Sequence, residues 1–460
     1  MMARLQALRG QLLGSLWFVP GTIVLGAVVV ALLMVELSAA VDAETLARWP
    51  RLFGAGADGS RSMLSGIATS MITVAGVTFS ITMVAVTQAS AQYTPRILRN
   101  FMRDRANQVV LGSFVGIFAY CIVVLRTIRG GEGTAFVPSL AVLGGVLLAI
   151  AGIAVLIFFV HHIATTLEAS EIISGIAQDT LRAVDRLFPE DLVEAPIAAR
   201  PAALFGTVPR DAWRPVPSPS TGYVQRTDIS RLVHVARECG MLVRLERTTG
   251  DFVAAGRPLA WFAPHPSGPA APRDDGRGAD TVAGALAGQY VVSTYRILDH
   301  DPGFGIRQLV DIALRALSPG VNDSTTAVTC VDYLGAILQR VANRHIEVAH
   351  RDKEQVTRIM AQAPTFEELL EMTCDEIRQN ARGNVSVLAR QLAMLATVAQ
   401  VTRSSIRRRD LGAQITLLHE AAARTVPSEH DRARLDALTE AGLAAVREGD
   451  EREGHAASRG

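Results

Sequence analysis

The sequence predicts a membrane α-helical protein, with four transmembrane helices followed by an α+β domain that has a small β-module and a mainly helical part. Three observations carry this. Four apolar, almost uncharged runs of roughly 20 residues, the length that a bilayer core requires, fall within residues 1–162. The remaining stretch, nearly two-thirds of the 460 residues, returns to mixed composition. Within it, strand-like alternation gives way to helical periodicity. The chain is 49% hydrophobic with a net charge of +1 and only 5% aromatic residues, a balance that implies no nucleic-acid partner. Lys353 is the only lysine, so the basic charge is arginine. Cys121, Cys239, Cys330 and Cys374 lie far apart, with no CxxC pair and no closely spaced histidine. Neither a zinc site nor a disulfide framework is expected.

Met1 to Gly14 carries Arg4 and Arg9 and reads as a short cytoplasmic lead-in. Leu16 to Leu37 is the first span, with Glu36 as its single charge. The SAAVDA that follows resembles a cleavage site, but the apolar run exceeds the ~7–15 residues of a signal core, so the helix is read as uncleaved. Residues 38–61 form a loop. The second span, Ser62 to about Thr87, has no charged side chain. At roughly 100° per residue, Ser62, Ser65, Gly66, Thr69, Thr73, Gly76, Ser80 and Thr87 share one face. Leu64, Ile67, Met71, Val74 and Ile81 lie opposite, together with Thr78 and Thr82. A small, hydroxyl-bearing face suits neighbouring helices or water better than lipid. Arg96, Arg99, Arg103 and Arg105 follow, opposed only by Asp104. The third span, about Val109 to Leu125, sets Gly112 and Gly116 at GxxxG spacing, a close-packing pattern. The fourth, about Val137 to Val160, contains Gly144, Gly145 and Gly152 and ends at His161 and His162. Arginine is densest in the 88–108 loop and sparsest in the 126–136 turn, which places both termini in the cytoplasm.

Residues 163–188 keep helical periodicity and are expected to extend the fourth span as a helix. Residues 189–263 hold a Pro/Ala-rich linker and then a small β-rich module, in which the Gly250-Asp251 turn and Gly256-x-Pro258-Leu259 mark hairpins. Residues 264–282 read as a flexible loop, 283–448 as a mainly helical cytoplasmic domain, and 449–460 as a disordered tail. The most specified cytoplasmic stretch is Asp299 to Asp332. Ile306 to Leu317 forms an amphipathic helix stopped by Ser318-Pro319-Gly320, and Asp323 or Ser324 caps a second helix near Thr325. Asp299, Asp301, Arg307, Asn322 and Asp323 either line a pocket for an ion or small effector, or are turn and cap residues of a helical hairpin.

Two strings, SMITVAGVTFSITMVAVTQASAQYTPRILRNFMRDR and DPGFGIRQLVDIALRALSPGVNDSTTAV, with GYVQRTD and GDFVAAGRPL in support, resemble the bacterial membrane-protein family called domain of unknown function 2254. The likeness covers most of residues 10–420. Ser324 departs from it, standing where the family pattern has proline. The resemblance implies a bacterial inner-membrane protein with a cytoplasmic C-terminal domain, and supplies no activity, cofactor or catalytic residue.

Three functional readings follow. In the first, copies of the second span meet around an axis and line a pore with Ser62, Thr69, Thr73, Gly76, Ser80 and Thr87, whose hydroxyls replace part of an ion's hydration. Arg96, Arg99, Arg103 and Arg105 stand at its cytoplasmic mouth. The plainer account is that small residues let helices approach and that the arginines are a topology signal. In the second, the protein is a membrane-anchored sensor or scaffold, and Arg403, Arg407, Arg408 and Arg409 reach anionic headgroups or simply solvate a helix end. The third, an enzyme, has the least behind it: GxSxG, HExxH, a Walker loop and a nucleotide-binding glycine fingerprint are all missing. Gly303-x-Gly305 is only a fragment, and His161 and His162 point apart on a helix.

Overall fold

The computed structural model describes residues 17–40, 56–92, 105–129, 136–166, 168–188, 205–266, 277–346, 349–352, 356–361 and 364–457. The chain divides into two compact units, Met1–Glu171 and Ile172–Gly460.

The first unit holds α1 (Phe18–Ala40), α2 (Ala57–Gln92), α3 (Arg105–Thr127) and α4 (Ser139–Thr166). Each contains a segment long and apolar enough to cross a membrane. The centre is α3, which touches the other three helices and has half of its apolar window buried, against 11–22% for the others. Its glycines explain why. A Cβ on Gly112 would stand 2.9 Å from Ile23 Cδ1 and from the Pro20 backbone, so α1 is seated in the groove that this glycine leaves. On α4, a Cβ on Gly145 would meet Leu64 of α2 at 2.7 Å, and one on Gly144 would meet the Tyr120 hydroxyl at 2.5 Å. Tyr120 thereby packs against α4 and donates to the Ala141 carbonyl at 2.8 Å. Leu64, Met71, Phe114, Ile117 and Phe159 fill the space between.

The second unit begins with α5 (Ala169–Leu187), whose first three residues fall in the unit before it. The expected extension of the fourth span is thus a separate helix, because α4 ends at Thr166. Two sheets follow. Strands β1 (Arg214–Pro217), β3 (Met241–Leu245), β5 (Pro258–Pro264), β7 (Ala349–Arg351) and β8 (Thr357–Met360) form one, in the order β1-β5-β3-β8-β7. Only β3 and β8 run parallel, with Val243 opposite Ile359. Strands β2 (Gly222–Thr227), β4 (Phe252–Val253) and β6 (Tyr290–Ser293) form the other, with β2 central. Helices α6 (Ile229–Glu238) and α7 (Arg277–Ala287) supply Leu232 and Leu286 to a core shared with Val224, Val243, Leu259 and Ile359. Two expectations change here. The β-module draws strands from far beyond residue 263, and the stretch read as a loop through 282 is helical from Arg277.

The rest is helical: α8 (Pro302–Ala316), α9 (Ser324–Val341), α10 (Phe366–Asn380), α11 (Val385–Val401), α12 (Ser405–Thr425) and α13 (Glu429–Ala457). The hub is α11, which touches α9, α12 and α13 and buries Leu388, Leu392, Leu395 and Val398. At 17 residues it is apolar but short for a span, and its place is a protein core. Side-chain caps start most of these helices: Asp301, Asp323 and Asn384 accept from backbone N–H groups, and Thr365 with Glu368 completes a capping box. The tail expected to be disordered is helical through Ala457.

Candidate functional site

The polar face of α2 points away from its own bundle. Its inward row is Leu64, Ala68, Met71, Ala75 and Thr78, all buried, repeating at helical spacing. Ser62, Thr69, Thr73, Gly76, Ser80 and Thr87 are all exposed. A Cβ on Gly66 or Gly76 would meet nothing within 4 Å. Ile81, placed on the inward side by periodicity, is exposed as well. Three of these hydroxyls are nonetheless satisfied. Thr73 donates to the Thr69 carbonyl at 2.8 Å, Ser80 to Gly76 at 2.9 Å and Thr87 to Met83 at 2.8 Å. With the donors committed to the helix, each oxygen offers only acceptor lone pairs outward. The outward surfaces of α1 (Leu25, Val29, Leu33) and α4 (Leu147, Ile150, Ile153, Ile157) are large and apolar, whereas on α2 the hydroxyls and glycines are interleaved with exposed Val77 and Val84. Of the expected mouth, Arg105 opens α3 and is exposed. Arg96, Arg99 and Arg103 lie outside the described residues.

Buried polar groups inside the bundle carry no sequence signal of their own. The Thr78 hydroxyl and both amide atoms of Asn107 are buried without a partner among the described residues. Thr78 was legible only as an exception on an apolar face.

The five residues expected to make a cytoplasmic pocket are not brought together. Asp301 and Asn322-Asp323 sit at opposite ends of α8, about 22 Å apart for a helix of this length. Asp301 is buried; its carboxylate accepts from Arg296 at 2.7 Å and caps α8 through the Phe304 N–H at 2.9 Å. Burial holds its pKa above the ordinary carboxylate range, with Arg296 pulling the other way. The φ of +98° at Gly250 brings the β3–β4 turn against that carboxylate, where a Cβ would stand 2.5 Å away. Asp299 offers its backbone carbonyl to Arg186 at 3.2 Å. Arg307 lies mid-helix and binds Asp311 and Glu376, joining α8 to α10. Asn322, with φ 51°, shapes the α8–α9 turn, and Asp323 caps α9 through Thr326. Ser324 has a role of its own, accepting from Asn384 Nδ2 at 2.6 Å and so tying two helix starts together. In this arrangement the five act as cap, turn and bridging residues at the two ends and the middle of α8.

Gly303-x-Gly305 has a packing role. A Cβ on Gly305 would stand 1.9 Å from Thr180 Oγ1, so the glycine is the seat of α5 on α8. Arg344, buried at 6% exposure, clamps the end of α5 by donating to the Phe188 carbonyl at 3.0 Å and to Asp185 at 2.6 Å. Arg340 reaches the same carboxylate at 3.2 Å. The cluster expected at anionic headgroups is likewise turned inward in part. Arg407 donates to the Val341 and Ala342 carbonyls at the end of α9. Arg408, 1% exposed, donates to the Thr402 and Arg403 carbonyls beyond α11 and pairs with Asp450 at 2.7 Å. Each satisfies carbonyls that a helix end leaves open; only Arg403 and Arg409 are exposed. Among the described residues no three His, Cys, Asp or Glu side chains gather as metal ligands.

Four membrane-length helices followed by a mixed helical and sheet unit define the class as a multi-helix membrane protein. The chain belongs to the family described as predicted membrane protein (DUF2254), whose model matches residues 14–397. It is 34% identical over 441 residues to an uncharacterized protein of Mycobacterium bovis and to one of Mycobacterium tuberculosis, covering 94% of this chain and 81% of each relative. No solved structure matches it.

Proposed function

We propose that the protein is a homo-oligomeric ion-conducting pore of the bacterial inner membrane, lined by the exposed Ser/Thr/Gly face of α2 and regulated by residues 172–460 on the cytoplasmic side. The observation that carries this reading is the contrast between outward surfaces. Those of α1 and α4 are apolar, whereas α2 presents acceptor oxygens and bare glycine backbone interleaved with exposed Val77 and Val84. Copies of α2 facing one another around an axis would turn that surface into a lining of lone pairs, which suits a partly dehydrated cation. Arg96, Arg99, Arg103 and Arg105 at the mouth would oppose it, so the sign of the permeant ion reports which group dominates. Purified protein in liposomes is expected to pass ions, with Thr73→Leu lowering the flux. A monomer in nanodiscs, or flux indifferent to Thr73→Leu, would rule the pore out.

A second reading, a membrane-anchored sensor or scaffold, is favoured by the clamp on α5. Only two residues separate this helix from α4, and Gly305, Arg340 and Arg344 fix it to the rest of its unit. A force or ligand felt by α8 or α9 is thereby delivered to the end of a membrane-length helix. Specific capture of one soluble partner by the solubilised full chain, with silent liposomes, would select this reading over the first.

A further inference from the structure

We propose that the outward face of α13 is a self-association surface, through which two copies of this chain pair their α13 helices antiparallel about a two-fold axis. The feature is a shallow groove of about 600 Å³ lined by Ala437, Ala441, Leu443 and Ala444, with Glu440 and Arg447 at its borders. Both charged residues are exposed. Neither makes a hydrogen bond or ion pair among the described residues, whereas Asp436, one turn before Glu440 on the same side of the helix, is engaged with His419, and Asp450 with Arg408. The opposite side of α13 is committed to its own unit. Leu435 and Ala445 are buried there, and a Cβ on Gly442 would stand 3.0 Å from Ile415 Cδ1.

Charge complementarity identifies the occupant as a second copy. Glu440 and Arg447 are two turns apart on one face, about 10 Å along the axis. Rotating a copy by a two-fold that passes between Leu443 and Ala444 sets its Arg447 over Glu440 and its Glu440 over Arg447. A two-fold contact requires this reciprocity, residue i meeting j while j meets i. Parallel pairing would set glutamate against glutamate and arginine against arginine. Between the charges, alanine methyls let the helices close to the short end of the usual interaxial range, about 8 Å. The surface therefore matches itself in shape and in sign, and the inference does not depend on the pore.

The test uses the full chain in nanodiscs, in a Cys239→Ser background because the other three cysteines are buried. Oxidation of Ala444→Cys, next to the axis, is expected to give disulfide-linked dimers. Ala437→Cys, roughly 20 Å from its symmetry mate, is expected to give none. Adding Glu440→Arg or Arg447→Glu to Ala444→Cys places like charges across the contact and is expected to cut the dimer yield about tenfold. Combining the two reversals restores opposite pairing and should restore the yield, which separates lost association from lost folding. Absence of the Ala444→Cys dimer, equal yields at 437 and 444, or no recovery in the double reversal would each overturn the proposal.

Discussion

Replacing Gly305 with alanine puts the seating of α5 to a quantitative test. The new Cβ would stand 1.9 Å from Thr180 Oγ1 and 2.9 Å from its Cβ and Cγ2, where ordinary contact begins at 3.4 Å. Rotating the threonine does not relieve the clash, because its Cβ is itself too close and its hydroxyl is held by the Ile176 carbonyl at 2.7 Å. The two helices must separate by more than an ångström, at a point where Ile173, Ile176, Ala177 and Val184 are buried. Overpacking of this kind costs about 1–3 kcal/mol, which corresponds to roughly 5–150-fold in a local opening equilibrium. Hydrogen exchange on the full chain in detergent is the assay. Amides of α5 are expected to exchange faster by that factor, and those of α11 to stay as they were. Adding Thr180→Ala removes Oγ1 and Cγ2 and should return most of the protection. Unchanged exchange in Gly305→Ala, or equal acceleration in α11, would refute the reasoning.

Two further predictions concern helix ends. Arg408→Met leaves the Thr402 and Arg403 carbonyls without their buried donors, each worth about 1–3 kcal/mol, whereas Asp450→Asn at a half-exposed carboxylate should cost under about 1 kcal/mol. Thermal unfolding followed by circular dichroism should rank the two in that order, and equal losses would assign the stability to the ion pair instead. The Thr326 hydroxyl, and then its backbone N–H, hold the Asp323 carboxyl below its ordinary value of 3.8. The cap therefore stabilises α9 above that value and is lost as pH falls through the lower folded one. Exchange protection at Thr326 and Ala327 should drop on acidification below about pH 4 in the native chain but not in Asp323→Asn, because asparagine caps as well without titrating. Identical acid fraying in both would show that the carboxylate is not the cap.

The local features were legible in the sequence because their physics is local. A GxxxG pair on an apolar run announces close approach whatever the partner, and Gly112 indeed receives Ile23 and Pro20 of α1. A cap at Asp323 or Ser324, which the structure gives to Asp323, and the turn beginning at Ser318 were equally readable, since they rest on residues within a few positions of one another. What failed was anything set by distant pairing. Four residues of β8 carry too little alternation to predict that Ile359 lies beside Val243. The run Arg407-Arg408-Arg409 does not reveal that its first two members turn inward, because that depends on where α9 and α11 happen to end. Asp299, Asp301, Arg307, Asn322 and Asp323 looked like one site because they are close in sequence. A rigid helix between the second and fourth of them holds the group apart.

The position of β3 has a consequence for how the protein is made. During synthesis β3 can pair at once with β5, but its other edge waits for β8, which is more than a hundred residues further along. Until residue 360 has left the ribosome, a hydrophobic strand ending in Leu245 keeps one row of amides and carbonyls open, the kind of edge on which nascent chains stick to each other. Ribosomes translating this message would thus carry that open edge for many seconds, and a pause or truncation between residues 265 and 349 would prolong it.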